Sequence, residues 1–346
     1  MAAPPHRPPP QGPPPLAHQR LPGFQGYSAR FSPFFESKLA VASAANYGIV
    51  GNGRLWILDL ATQPGAAVPD RYFDTQDGLY DVAWSEQHER QLVTASGDGS
   101  LKLWDSALRD PHPVMHWQEH GREVFSVSWN MVTKDSFVSA SWDRTIKLWN
   151  PAHQTSLLTL AGHADCVYAA VHHPRQATLV ASGSADRTLR LWDTRNGTNV
   201  ATAAFAHAHD VLSLDWDKYR PTVLYSGSAD KDVKVWDTRR LDVAVATLAG
   251  HAFPVRRVAA CPHRAGRVAS VGYDMTARVW DTDLAALPPD HLGNEAMANV
   301  GAIPAGQVWQ SDVHSEFVMG VDWALFRPGE LATTSWDGTV CVHRIP

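Results

Sequence analysis

One spacing rule constrains this chain more than any other feature. Five histidines, His120, His163, His207, His251 and His314, each stand twenty-three residues before an aspartate: Asp143, Asp186, Asp230, Asp274 and Asp337. Six residues after each aspartate comes a tryptophan (Trp149, Trp192, Trp236, Trp280) or, in the last copy, His343. Asp98 and Trp104 mark another copy, without the histidine. Four residues after each histidine is a valine: Val124, Val167, Val211, Val255 and Val318. A chain bound to such a ruler must build one structural unit several times over. Between the marks the sequence alternates with period two, as in "VFSVSW" (Val124–Trp129) and "TIKLW" (Thr145–Trp149). That period belongs to short strands separated by turns.

A copy spans about 43 to 46 residues, the length of the WD repeat, which makes one four-stranded blade of a β-propeller. A diverged copy runs from Gly26 to Asp59, with "GRLWILD" where the next copy has "GSLKLWD". The expected fold is therefore all-β: a seven-bladed WD-repeat β-propeller occupying residues 18–346 as a single domain. The last copy stops at its third strand, "TVCVHRI". Its outer strand must come from elsewhere, or a sheet edge stays open. The segment His18–Phe24, "HQRLPGF", is expected to complete that blade and close the ring. Residues 283–306 interrupt blade six between its third and fourth strands, on the face away from the Ser-x-Asp turns, and read as a mobile loop. Residues 1–17, opening "MAAPPHRPPPQGPPP", read as a proline-rich disordered tail; without an apolar core this stretch is no secretory signal.

Several function classes are disfavoured. A net charge of −5 argues against general binding to nucleic acid or an anionic membrane. No apolar run approaches the roughly 18 residues a membrane helix needs. Three cysteines, Cys166, Cys261 and Cys341, form neither a CxxC nor an even framework, which suits a reducing, intracellular compartment. A set of Ser, His and Asp recurs five times, once per blade, at one spacing. A hydrolase needs one such set in one pocket, whereas a scaffold needs one per blade, so these residues read as a buried hydrogen-bond lattice and no catalytic residue is assigned. No metal site is assigned either: His172-His173 and His207-x-His209 lack a third ligand. Gly51–Arg54 and Gly97–Gly99 are tight turns that open no helix, so no phosphate or cofactor cradle is indicated.

Lattice positions serve the fold, so function is sought where copies differ. Three positions per blade point to one rim of the central channel: the residue before the anchoring valine, the residue after it, and the x of Ser-x-Asp. Before the anchor (Leu79 in blade two) stand Gly78, Glu123, Cys166, Asp210, Pro254 and Phe317. After it stand Tyr80, Phe125, Tyr168, Leu212, Arg256 and Met319. The x residues are Gly97, Trp142, Ala185, Ala229, Tyr273 and Trp336. This rim is aromatic and apolar with carboxylates at Glu123, Asp210 and the nearby Asp77. Exposed tryptophans there suggest a binding surface, the alternative being that they plug the channel mouth. An apolar, acidic surface suits an amphipathic helix carrying a cation.

The letters outside the lattice resemble one family. "FSPFF" (Phe31–Phe35), "NYGIVGNGRLWILD" (Asn46–Asp59), "DGLYDVAWSE" (Asp77–Glu86), "REVFSVSWN" (Arg122–Asn130), "DKYRP" (Asp217–Pro221), "YDMTARVW" (Tyr273–Trp280) and "HSEFVMGVDW" (His314–Trp323) are similar to the cytosolic receptors for type-2 peroxisomal targeting signals. The resemblance runs from about Phe24 to the C-terminus. It implies a non-enzymatic receptor that binds an N-terminal nonapeptide signal of peroxisomal matrix enzymes as an amphipathic helix. The signal begins with Arg or Lys and a branched apolar residue and ends with His or Gln followed by Leu or Ala. A co-receptor covers it, and peroxisomal docking proteins take up the complex, which cycles from cytoplasm to the peroxisomal membrane and matrix. Asp77, Glu123 and Asp210 are then candidates for the signal's basic group. Tyr80, Phe125, Trp142, Tyr168, Leu212, Arg256, Tyr273, Phe317, Met319 and Trp336 are candidates for its apolar stripe or for the co-receptor. The proline-rich tail, the blade-six insertion and His343 depart from the family pattern. A generic WD scaffold for other protein complexes and a propeller hydrolase are the competing readings.

Overall fold

A computed structural model describes residues 14–63, 66–108, 110–290, 297 and 300–346; the first thirteen residues of the proline-rich segment lie outside the described residues. The repeat lattice folds as anticipated. The described residues form seven four-stranded antiparallel sheets, each one blade. Every anchoring residue opens the inner strand of its blade: Leu79–Trp84, Val124–Trp129, Val167–His172, Val211–Trp216, Val255–Ala260 and Val318–Trp323, with Gln25–Phe31 in the diverged first blade. Adjacent inner strands touch around a closed ring, blade seven meeting blade one. At that joint Gly26 is required, because a Cβ there would overlap the Thr334 side chain of blade seven.

Ring closure is a strand exchange. Ala17–Arg20 pairs antiparallel with the last strand, Thr339–Arg344, in the register Ala17↔Val342 to Arg20↔Thr339. The strand is shorter than the expected His18–Phe24 and begins one residue earlier. Pro22 cannot donate to a ladder and Gly23 turns at φ +79°, so the chain leaves the sheet after Arg20. Leu21, 2% exposed, then packs into the core shared by blades seven and one.

The recurrent polar residues form one buried relay in each of blades three to seven. In blade three, His120 Nδ1 lies 2.7 Å from Asp143 and its Nε2 2.7 Å from Ser139 Oγ, while Trp149 Nε1 donates to the same oxygen at 2.8 Å. The relay repeats at Ser182, Ser226 and Ser270. Blade seven substitutes Thr333 for the serine and His343 for the tryptophan. Each aspartate also ties its own turn: Asp143 accepts from the amide and hydroxyl of Thr145. Burial opposes ionisation of these carboxylates, but the hydrogen bond and charge of the histidine, the threonine hydroxyl and a backbone N–H together outweigh it and hold Asp274 and Asp337 down at about 2.

Inner-strand side chains also stitch blade to blade. Asp81 accepts from Val127 N (3.1 Å), Asp215 from Ala260 N (2.8 Å) and Asp322 from Phe31 N (2.8 Å). Each joins one blade to the next across donors that no ladder satisfies. Arg257 reaches over the channel to Asp81 at 2.8 Å.

The blade-six insertion is less free than a mobile loop. Among its described residues, Leu284, Leu287, Met297 and Ile303 are buried in one core cluster with Val245 and Trp280. Arg220 holds it by Asp290 (2.9 Å), Leu284 O (2.8 Å) and Pro288 O (2.7 Å), and Arg239 donates to Pro289 O at 2.7 Å. Alternation of polar and apolar letters cannot reveal this docking, because Arg220, Arg239 and Val245 come from blade five.

Candidate functional site

The rim is built by two devices repeated around the ring. The inner strand of every blade carries a register shift directly after its anchor. A bulge leaves one residue unpaired and re-aims its side chain. The seven bulge residues are Tyr27, Tyr80, Phe125, Tyr168, Leu212, Arg256 and Met319. The second device locks the other two rim positions together. The x residue of each turn donates its backbone N–H to the carbonyl of the residue before the anchor: Trp142 to Glu123, Ala185 to Cys166, Ala229 to Asp210, Tyr273 to Pro254, Trp336 to Phe317 and Gly97 to Gly78, all at 2.8–3.0 Å. In blades two to seven the two bonded positions and the bulge residue between them therefore form one local triad.

These triads assemble an aromatic arc over six blades. Tyr273 stacks on Phe317 (centroids 4.7 Å), Phe317 meets Trp336 (5.4 Å), and Trp336 meets Tyr27 (5.7 Å). Tyr27 continues to Tyr80 (5.1 Å), Tyr80 to Phe125 (4.6 Å) and Phe125 to Trp142 (4.6 Å, planes 9° apart). Tyr168 closes the far end against both Phe125 and Trp142. Met319 joins the same cluster, whereas Leu212 and Asp210 of blade five stand outside it. The rim tryptophans are not the exposed side chains the sequence suggests. Trp142 and Trp336 are half-buried, as are Phe125, Tyr168, Tyr273 and Phe317; Tyr80, Leu212, Arg256 and Met319 are buried. Ring-on-ring packing covers much of each: Phe125 is stacked between Tyr80 and Trp142, and the Nε1 edges of Trp142 and Trp336 are buried.

Sequence reasoning misses part of this surface. Tyr27 sits at the bulge of blade one, and the turn Ala45–Asn52 of that blade rises over the arc. Tyr47 packs on Trp336 at 5.4 Å and accepts from Tyr27 Oη through its carbonyl at 2.7 Å. Tyr80 Oη, pushed up to about 12 by burial, then Asp77 and Glu123, stays a neutral donor to Gly48 O at 3.3 Å. Gly48 has φ +69°, and a Cβ there would press on the Tyr27 hydroxyl and the Tyr80 ring. Beyond it Ile49 and Val50 are 81% and 68% exposed, an apolar crest beside the arc. Blade one lacks the His–Asp ruler; "GRLWILD" reveals the copy, but the likeness of "YSARF" (Tyr27–Phe31) to "FSVSW" (Phe125–Trp129) is what could have put Tyr27 on the rim.

Charge is unevenly placed on this face. The Asp210 carboxylate has no hydrogen-bond or ion-pair partner among the described residues, and the Glu123 carboxylate has only a loose pairing with Arg122 at 3.5 Å. Asp77 accepts from Gly78 N at 2.7 Å. These half-buried carboxylates are available to a cation. Arg122 lies over the outer face of Trp142, 5.5 Å from its ring. Below the rim the channel holds a cavity of about 250 Å³, whose lining includes Tyr168, Leu212 and Arg256.

The Asp–His–Ser relays reproduce the bonding of a hydrolytic triad without its access. Ser139, Ser182, Ser226 and Ser270 are 0% exposed, and a tryptophan N–H already donates to each oxygen that would attack. Among the described residues no three His, Cys, Asp or Glu side chains converge as a metal would require.

Comparison with known proteins gives the family. The WD domain, G-beta repeat family matches residues 70–105, 111–150, 154–193, 197–237 and 243–281. A Saccharomyces cerevisiae protein named peroxisomal targeting signal 2 receptor is 34% identical over 372 aligned positions, covering 94% of this chain and 99% of the relative. The chain belongs to the peroxisomal targeting signal 2 receptor family. Its Komagataella phaffii relative of that name is 54% identical over 104 residues, a match spanning 30% of this chain and only 27% of the relative. The Homo sapiens relative is 39% identical over 156 residues, 45% of this chain and 47% of the relative. In this chain the aromatic arc and its carboxylates are among the rim positions free of the repeat lattice.

Proposed function

We propose that the chain is a receptor for type-2 peroxisomal targeting signals, capturing the N-terminal signal of matrix proteins on the aromatic rim. A co-receptor covers the bound signal, and the complex is delivered to the peroxisomal docking and import machinery, cycling between cytoplasm and peroxisome. No bond is made or broken. The observation that carries this reading is the continuous arc from Tyr273 to Tyr168 flanked by Asp77, Glu123 and Asp210, on a member of this receptor family. An amphipathic helix with apolar residues at i, i+3, i+4 and i+7 lays one stripe along such an arc. Its basic residue meets a carboxylate at the arc's edge, where a charge-assisted hydrogen bond forms.

The test is a fluorescence-anisotropy titration with a labelled signal nonapeptide, with and without a co-receptor fragment. Expected is saturable binding that falls at least tenfold when the peptide's first basic residue or its branched apolar neighbour becomes alanine. Binding indifferent to those positions would favour a general WD scaffold for other complexes instead.

A further inference from the structure

Two consecutive arginines in blade six are treated in opposite ways. Arg257 is buried and paired, its Nη1 2.8 Å from Asp81 and 3.0 Å from Ser28 Oγ. Arg256, the bulge residue, is 3% exposed, yet no hydrogen bond or ion pair reaches its guanidinium among the described residues. Its Nη2 is fully covered and without an acceptor. The group reaches across the channel mouth from blade six to blade three, where its Cζ lies 5.7 Å from the Phe125 ring centre. Aromatic faces compensate part of a cation's lost hydration, but they supply no acceptors for five fixed N–H donors. None of Asp77, Glu123 and Asp210 forms an ion pair with it. Burying a guanidinium without a counter-charge is unfavourable in the free protein. The same arrangement is preorganised for an anion that arrives from outside.

We propose that Arg256 is the rim's carboxylate-binding residue, taking an Asp, Glu or C-terminal carboxylate carried by the macromolecule that lies across the aromatic arc. This rests on the reading of the rim as the binding face. The planar guanidinium matches a carboxylate in a two-pronged contact that a lysine cannot copy. Arg256 also gives the face polarity. Its positive charge at the channel axis repels the basic residue of a targeting signal, and the carboxylates at Glu123 and Asp210 attract it, so a helix is oriented as well as held.

The deciding comparison is Arg256→Met, which keeps the apolar stem and removes charge and donors, beside Arg256→Lys. Arg256→Met should raise the melting temperature of the free chain by a few degrees, because an unpaired buried charge is gone. It should also weaken capture tenfold or more, with Arg256→Lys weakened nearly as much. Titrating the signal peptide alone, then a co-receptor fragment against the peptide complex, shows which of the two carries the carboxylate. An Asp or Glu to amide change in that partner should then cost the wild-type chain its advantage and leave the Met variant unaffected. Capture within twofold of wild type in both titrations would overturn the proposal. Should the wild-type chain capture no signal at all, the receptor reading falls, and a second measurement decides Arg256 separately. Replacing chloride by acetate at equal ionic strength should raise the melting temperature of wild type and leave Arg256→Met unmoved; equal responses overturn the assignment.

Discussion

Acid should unfold this propeller through two histidines that stand where other blades carry tryptophan. His343 occupies the end of the relay in blade seven, 1% exposed, its Nε2 3.0 Å from Thr333 Oγ1 and its Nδ1 without a partner. His172 closes the inner strand of blade four, 4% exposed, with neither ring nitrogen bonded. Burial pushes His343 down to about 3 and His172 to about 4 from the ordinary 6.5. The folded chain therefore binds fewer protons than the unfolded chain below pH 6.5. Their contribution is complete above that value and is lost as pH falls toward 4 and 3. At pH 5, some 1.5 units below the unfolded value at about 1.4 kcal/mol per unit, each histidine withdraws about 2 kcal/mol. Together that is on the order of 4 kcal/mol, a large share of a typical domain's stability. His343→Trp isolates one of the two. In blades three to six a tryptophan N–H donates to the equivalent hydroxyl at 2.8 Å, so the geometry for the replacement already exists in the fold. Urea unfolding at pH 7.5, 6.5, 5.5 and 5.0 should show wild type losing about 2 kcal/mol more than His343→Trp across that range. The comparison uses slopes, so any change in baseline stability drops out. Parallel stability curves for the two chains would refute the reasoning.

Three further outcomes are expected. Glu123→Lys with Asp210→Lys should weaken signal capture at least tenfold at low salt while moving the melting temperature little, since the fold uses neither carboxylate beyond an exposed pair of at most about 1 kcal/mol; unchanged anisotropy would remove the acids from the site. Trp142→Ala should lose about 1 to 2 kcal/mol of capture free energy with its stack on Phe125, and Trp142→Phe should retain most of it; an unaltered titration in the alanine variant would make Trp142 a seal for the channel mouth. Deleting residues 1–24 should cost about 3 to 5 kcal/mol by urea unfolding, from the buried Leu21 and the lost strand pairing, and should promote association visible by light scattering, because the last strand becomes an open edge.

The relay and the blade count are legible in the sequence because both are local and repeated. A spacing of His–23–Asp–6–Trp survives only where each copy folds onto itself, so reading one blade reads five. Closure by the N-terminal strand is legible for a related reason: a last copy short of one strand demands a donor. Blade one is harder. Its ruler is absent, and Tyr27 and the crest Tyr47–Val50 join the rim only through contacts with Trp336 and Tyr80 from blades seven and two.

What the sequence determines by itself, then, is the architecture and the set of positions free for function, because period and spacing encode contacts within a blade. What the tertiary structure decides is the character of those positions. Trp142 and Trp336 become half-hidden members of one stacked arc, the described residues of the insertion pack against blade five, and Arg256 becomes a buried cation with no acceptor. Each of these depends on side chains from different blades meeting, and no spacing within a repeat specifies what lies across the channel.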